Sequence, residues 1–492
     1  MNIQEDSSAM LMDFVPDAQA KPEFICACEG EMRSACAGEG FFREHEGKRY
    51  CVLHYPSQDK IEAFRAVLKK KFEAQDFDFR GVWFPGDVSF QGFQFSADAD
   101  FYRADFSGQA YFSRATFNSL VNFDSATFRA DADFRWASFS AFTFFGSASF
   151  NADAHFFGAT YSAIAIFDIS AFNAIANFHG ATFRSTASFY NATFRADADF
   201  LDANFLDADF SSATFLADAN FRTATFSADV LFRSATFSAD ADFFSTTFAA
   251  YVRFIGDKDH SVFGDTSYLN LQNTRIEKPE RVSFHTLTLR PHWFINVDAR
   301  KFEFVNVEWR TGLTPEIESL RDHKVESPHR LLSIAYRQLA VNAEENHRYS
   351  EAAEFRYGSM DLRRLAEWRG IAFWRLAWWY WLLSGYGERI TRAVTCLLLI
   401  LVLFAGLYTQ VGFVHPTDQT TKPTATITTP DTVGTPLRFT QALVHSFAVS
   451  ILQKPEPKPL TLAARLLVGL ETVLGPLQAA LLALAIRRKF MR

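Results

Sequence analysis

Large apolar rings recur along this chain with a nearly fixed rhythm. From Phe79 to Phe254 an aromatic residue returns at steps that alternate between five and six, as in Phe79, Phe84, Phe90, Phe95, Phe101 and Phe106. The series has 33 positions, of which 32 are Phe and one is Tyr161, and it slips once, with consecutive steps of five to Phe210 and Phe215. Ala usually stands two residues before the ring, as at Ala99, Ala104, Ala115 and Ala126, with Asp, Asn, Thr or Ser between. Two inward positions separated by a polar one predict a short strand of period two. A five-residue step is too short for a strand plus a hairpin loop. The pattern therefore predicts a continuous coil that turns a corner after each short side.

The unit Ala-(Asp/Asn/Thr/Ser)-Phe resembles the pentapeptide-repeat family. The resemblance implies a right-handed quadrilateral β-helix, with a large apolar residue at the centre of each side and a small one at i−2. The extra residue in every second step departs from the strict family pattern and is expected to bulge at a corner. Four sides then take about 22 residues, giving about eight coils and a rod of roughly 40 Å over residues 79–256. Between Phe79 and Phe254 there are 18 Asp and 10 Arg, with no Lys and no Glu. Short Asp side chains suit tight corners, where they hydrogen-bond the backbone. Some pentapeptide-repeat proteins imitate the charge of a DNA duplex and bind type II topoisomerases, but a solvated acidic face accounts for the bias more simply. The rod surface stays a candidate for a protein partner.

The flanks break the rhythm. Residues 257–315 keep strand-like pieces and are expected to form irregular last coils and a cap. Residues 57–78 carry a short helix through Phe64, Val67, Leu68 and Phe72, which would cover the open first coil. Residues 316–368 predict a helical linker, with one helix over 328–345 opened by Ser327-Pro328 and a second over 347–368. This pair resembles a tetratricopeptide-type unit.

The N-terminal region carries the metal chemistry. Four of the five Cys lie between Cys26 and Cys51, and Cys51-Val-Leu-His54 has the spacing of a zinc half-site. Residues 26–56 are polar and rich in Gly, so a structural zinc would stand in for a missing core. The expected ligands are Cys28, Cys36, Cys51 and His54, with Cys26 as the alternative first ligand. Residues 1–25 hold acidic residues and no basic stretch before an apolar run, so they are expected to be disordered and to contain no secretory signal.

The C-terminal 120 residues change character. Trp368, Trp374, Trp378, Trp379 and Trp381 cluster beside Arg369 and Arg375, as suits an interfacial helix over 369–389. Residues 393–411 carry no charge and nearly match a membrane span, and a second apolar stretch runs from Leu460 to Ile486. Arg389 and Arg392 precede the first span, and Arg487, Arg488, Lys489 and Arg492 follow the second. Both termini are therefore expected in the cytoplasm of a bacterial-type inner membrane. Between the spans, a Thr- and Pro-rich loop leads to a short apolar helix at 437–452. The order of span, re-entrant helix, loop and span over 390–492 resembles the pore module of two-transmembrane cation channels. No Thr-Val-Gly-Tyr-Gly-like filter follows Leu452, and Gly385-Tyr-Gly387 lies before the first span. Glu471 and Gln478 are either pore-lining or interhelical partners, and Gly475-Pro476 is a candidate hinge.

Composition narrows the function. A net charge of −7 and a pI near 6.0 speak against nucleic acid as a partner. No nucleophile–base pair, phosphate loop or open metal site points to an enzyme. The sequence thus predicts a multidomain membrane protein whose cytoplasmic rod sits on a channel-like hairpin in the lipid bilayer. That hairpin would form a homo-oligomer, such as a tetramer, that conducts; alternatively it only anchors an interaction scaffold. The 32 ring positions absorb most of the 56 Phe.

Overall fold

A two-residue repeat of polar-out and ring-in makes each side of the coil a strand of two residues, such as Thr127–Phe128. Each strand pairs in parallel with the one a coil further on, so that Thr127 and Phe128 lie opposite Ser149 and Phe150. The computed structural model describes residues 24–28, 30–36, 38–257, 261–366, 376–414 and 436–490. They fall into two compact units, one running to residue 270 with 274–287, the other comprising 271–273 and 288 onward. Most of the N-terminal segment expected to be disordered lies outside the described residues, as do Trp368, Trp374 and the loop over 415–435.

The first unit is a parallel β-solenoid of about ten turns. Its rings form columns: Phe106, Phe128, Phe150 and Phe172 stack face to face 4.7–4.8 Å apart. That distance is the spacing between neighbouring strands, so backbone ladder and ring column enforce one another. Rings on adjoining sides meet edge to face, as Phe112 and Phe123 do at 5.4 Å and 84°. The ring positions are at most 3% exposed.

The alternation of five and six resolves into two kinds of corner. In the five-residue steps one residue takes the left-handed conformation, among them Arg103, Arg114, Ser125, Trp136 and Ser147 at φ 55–58°. The outward Asp of the preceding strand accepts the N–H two residues on: Asp100 from Tyr102, Asp133 from Arg135 and Asp199 from Leu201, each at 3.0 Å. The six-residue steps swing wider, which is where the expected extra residue goes. There a corner Asp accepts the N–H of the next coil: Asp98 from Leu120, Asp153 from Ile175 and Asp229 from Tyr251, at 3.1–3.2 Å. The excess of Asp over Glu is thus explained by backbone satisfaction, since the longer side chain would overshoot.

The one slip in the rhythm is a shortened corner. Strands Thr182–Ser188 and Asn204–Asp209 run on through it, with a register shift between Phe183 and Thr186. Beyond it the rings restack, Phe189 on Phe210 at 4.9 Å. The stack also continues past residue 256. Val252–Ile255 pairs with Val282–His285, and Phe284 stacks on Phe254 at 5.1 Å. The irregular segment therefore adds turns to the eight that the rhythm predicts.

At the N-terminal end helix α1 (Ile61–Glu73) covers the first coil. Phe64 lies edge-on to Phe84 at 5.5 Å, and Phe72 rests on Phe79 and Phe90 at 5.9 and 5.8 Å.

The second unit is mainly helical. Helices α2 (Leu313–Asp322), α3 (Pro328–Glu345) and α4 (Tyr349–Ala366) precede α5 (Leu376–Ser384). Helices α6 (Ile390–Tyr408) and α8 (Leu462–Phe490) are long and apolar enough to cross a membrane. Between them stands α7 (Phe439–Ser450), within the predicted short helix. Close approach of α3 and α4 is recorded by Ser333 and Ser359, whose hydroxyls each donate to the other's carbonyl at 3.0 and 2.9 Å.

Candidate functional site

Two places gather polar chemistry. The first is the Cys/His module. A 3-10 turn (Gly30–Cys36) carries Cys36, and a hairpin of Arg43–His45 with Lys48–Tyr50 returns the chain to Cys51 and His54. All five predicted candidates converge. Sγ of Cys36 lies 3.7 Å from Sγ of both Cys28 and Cys51. Nδ1 of His54 lies 3.2, 3.5 and 3.9 Å from the sulfurs of Cys51, Cys36 and Cys26. Tetrahedral zinc with its usual bond lengths would separate neighbouring sulfurs by about 3.8 Å and sulfur from nitrogen by about 3.6 Å. The ligand atoms of Cys26, Cys28, Cys36 and His54 all lie within 4.8 Å of one another. Cys26, the alternative from sequence, thus enters the cluster beside Cys28, while Cys51 flanks it through Cys36 and His54.

The surroundings fit a cation. Nε2 of His54 lies 3.0 Å from the Arg80 carbonyl oxygen. A carbonyl only accepts, so Nε2 carries the proton and Nδ1 offers its lone pair to the sulfurs. The Cys51 N–H donates to Sγ of Cys26 at 3.3 Å, which stabilises a thiolate there. Without a metal, hydrogen bonds from Cys28, Cys36 and Cys51 push the Cys26 thiol far down, and Cys36 moves up by the same contacts. Burial lowers the His54 imidazole, but bonds to Cys26, Cys28 and Cys51 outweigh it and push it up to about 12. Three Cys and one His could hold a metal ion, and the Arg80 contact couples them to the first coil.

The second place lies among α6, α7 and α8. Glu471 is fully buried and accepts from the hydroxyls of Tyr408 on α6 and Ser446 on α7, with Ser450 at 3.4 Å. Gln478, 1% exposed, donates to the carbonyls of Leu383 and Ala393 at 2.9 and 2.8 Å. The Glu471 carboxylate and the Gln478 amide nitrogen are therefore engaged in interhelical bonds within one chain, while the buried Gln478 Oε1 has no hydrogen-bond partner. Gly475 marks a close crossing rather than open space. A Cβ there would lie 2.7 Å from Cβ and 2.8 Å from Cα of Ser450. Pro476 follows it inside the continuous helix α8.

Of the Trp cluster, Trp381 serves packing. Its Nε1 donates to the Tyr357 hydroxyl at 3.1 Å, and Arg364 and Arg392 lie over its ring at 4.4 and 5.1 Å. Trp379 is 46% exposed and stands edge-on to Trp378. Gly385, Tyr386 and Gly387 form a left-handed turn whose Tyr386 carbonyl accepts from Arg488 at 2.9 Å. Sequence reasoning missed Tyr408, Ser446 and Ser450 as partners of Glu471. The two Ser stand four apart on α7, a helical spacing that places both on one face.

Comparison with known proteins bears on the rod. Residues 167–214 match the family model for pentapeptide repeats in nine copies. No curated protein matches the chain. The matched segment lies inside the ring ladder, includes its one shortened corner, and continues the ring columns of the coils on either side. The β-solenoid of this chain is a pentapeptide-repeat β-helix.

Proposed function

We propose that the chain is a membrane-anchored scaffold: a cytoplasmic pentapeptide-repeat rod, capped by a zinc-bound Cys/His module, on a two-span anchor. The observation that carries this reading is the burial of Glu471 and Gln478. A conducting axis needs polar side chains facing shared water, whereas these two close bonds between helices of a single chain. The spans α6 and α8 supply the anchor, and the basic ends at Arg389 and Arg487–Lys489 favour a cytoplasmic rod in a bacterial-type inner membrane.

One observation favours a pore as the second reading. Helix α7, of 12 residues, is about 18 Å long and too short to cross about 30 Å of hydrocarbon. It contacts both spans, and its Val444 and Phe447 are 69% and 55% exposed. Several copies brought together through that face would make a re-entrant ring. Purified protein in planar bilayers separates the two. The scaffold reading expects no current from wild type. A current that changes with Glu471→Gln would replace it with an oligomeric pore. For the module, elemental analysis is expected to find one zinc per chain, and its absence would overturn the zinc assignment.

A further inference from the structure

The pair α3 and α4 encloses a cavity of about 410 Å³ whose polar lining, apart from Ser333, is basic. Arg330, Ile334 and Arg337 share one face of α3, at helical spacing. Ser333 meets Ser359 and Tyr336 meets Phe355, so the two helices run antiparallel. Arg363, one turn beyond Ser359, is thereby level with the start of α3, where His329 and Arg330 stand. The side chains of Arg330, Arg337 and Arg363 are exposed, and none of their guanidinium groups has a partner among the described residues.

Other arginines around α4 are paired. Arg348 binds Glu351, Arg364 binds Asp361 and Arg389 binds Glu354, each at 2.8 Å. Asp361, two residues from Arg363, is therefore already engaged. The first turn of α3 has no acidic residue, and the start of a helix carries partial positive charge. His329 is held below its ordinary range by burial and then by the charge of Arg321. Like charges gathered at one cavity with no carboxylate to answer them suit an anion.

The surroundings say which anion. The last turn of α4 adjoins the Trp-rich helix α5: Arg364 lies over the Trp381 ring at 4.4 Å, and Arg392, at the start of α6, lies over the same ring at 5.1 Å. On α5, Leu376 and Trp379 are 87% and 46% exposed, as suits the headgroup layer of a bilayer. Ile334 and Ala366 give the cavity an apolar wall. Phosphate oxygens match the guanidinium fork in pairs.

We propose that the cavity between α3 and α4 binds a phosphate group through Arg330, Arg337 and Arg363, carried by an acidic phospholipid or by a soluble phosphate ester. The lipid source rests on the membrane-anchored reading; the phosphate site itself does not.

The test uses the full chain in a zwitterionic detergent. The probe is a short-chain phosphatidylglycerol carrying a fluorophore, read by anisotropy, with phosphatidylcholine of the same chain length and label as control. Inorganic phosphate and glycerol phosphate are titrated in parallel by calorimetry. Phosphatidylglycerol is expected to bind about tenfold tighter than phosphatidylcholine. Arg330→Gln with Arg337→Gln, and separately Arg363→Gln, should each remove most of that difference. Lys301→Gln, an exposed cation outside the cavity, should leave it unchanged. The three Arg are exposed, so unchanged circular dichroism and melting would show that the variants fold. Arg-dependent binding of inorganic phosphate or glycerol phosphate without a preference for phosphatidylglycerol supports the site and assigns it a soluble source. A preference for phosphatidylglycerol without phosphate binding assigns it to the bilayer. The absence of both, binding indifferent to the Arg variants, or equal loss with Lys301→Gln overturns the proposal. The anchored-scaffold reading fails on other grounds, a bilayer current or a chain soluble without detergent.

Discussion

Removing one ring from the middle of the ladder is the sharpest test of how the rod is held together. Phe150 is 1% exposed and lies between Phe128 and Phe172, each stacked on it at 4.8 Å. It also meets Phe156 edge-on at 5.8 Å. A buried Phe→Ala change costs about 3–5 kcal/mol. Two stacked pairs each add about 0.5–1.5 kcal/mol beyond burial. Strand spacing is fixed by the backbone ladder on both sides, so the cavity has little freedom to collapse. Phe150→Ala is therefore expected at about 5 kcal/mol, the upper end of that range. The outward control Phe142→Ala, on the same face system but 48% exposed, should stay within about 0.5 kcal/mol. In a solenoid each coil contacts only its neighbours, so the damage should be local. Hydrogen exchange on the full chain is expected to show lost protection in coils from Phe128 to Phe172, with helices α3 and α4 unchanged. Equal loss of protection in the two variants, or loss spread evenly over the whole rod, would refute the column as the source of stability.

Three further outcomes are expected. Cys36→Ser, or a strong chelator, should release the metal proposed for the module and expose residues 38–56 and the Arg80 corner to proteolysis, because His54 joins the two; a metal content unchanged by Cys36→Ser would remove Cys36 from the ligand set. Glu316, 3% exposed, accepts from the Tyr336 hydroxyl at 2.8 Å, and burial pushes its carboxyl up to about 8. The folded state keeps a proton that the unfolded chain releases near 4.5. Its contribution, up to about 5 kcal/mol, is thus full below that pH and lost as pH rises through about 8. Limited proteolysis of α2 and α3 should accelerate across that window in wild type and not in Glu316→Gln. Gly475→Val should separate α7 from α8 at Ser450 and cost about 1–3 kcal/mol, read as a lower melting temperature in detergent; an unchanged melt would show that the crossing is loose.

The rod was legible because its contacts are set by a local period. Ala99, Phe101 and Ala104 announce their burial within six residues, and the ring column follows from the 22-residue coil. The corners were half legible: the extra residue was expected, but which corner takes the left-handed residue depends on bonds such as Asp98 to Leu120, made one coil away. The Cys/His module was legible as a ligand inventory. The contact from His54 to the Arg80 carbonyl was not, since nothing in the sequence marks a carbonyl as an acceptor. The bonds of Glu471 were least legible, because Tyr408 and Ser446 stand 63 and 25 residues away on separate helices.

That difference says where function is to be sought. A repeat dictates its inward residues, and the corner bonds dictate most of its Asp, so neither the Phe excess nor the acidic bias carries information about a partner. What the architecture leaves free is the outward side chain between corners. In most coils that position is polar. At Phe144, Ile166 and Leu231, with Phe142, Ile164 and Ile169 beside the first two, it is not, and no bond or column of the rod asks for the exchange. The neighbouring coils carry Asn122 opposite Phe144, Ser188 opposite Ile166, and Ser147 and Asn191 at the corner that Ile169 occupies. Apolar side chains kept at a solvent-facing position, one of them in a strained backbone, are therefore the part of the rod that its own architecture does not dictate.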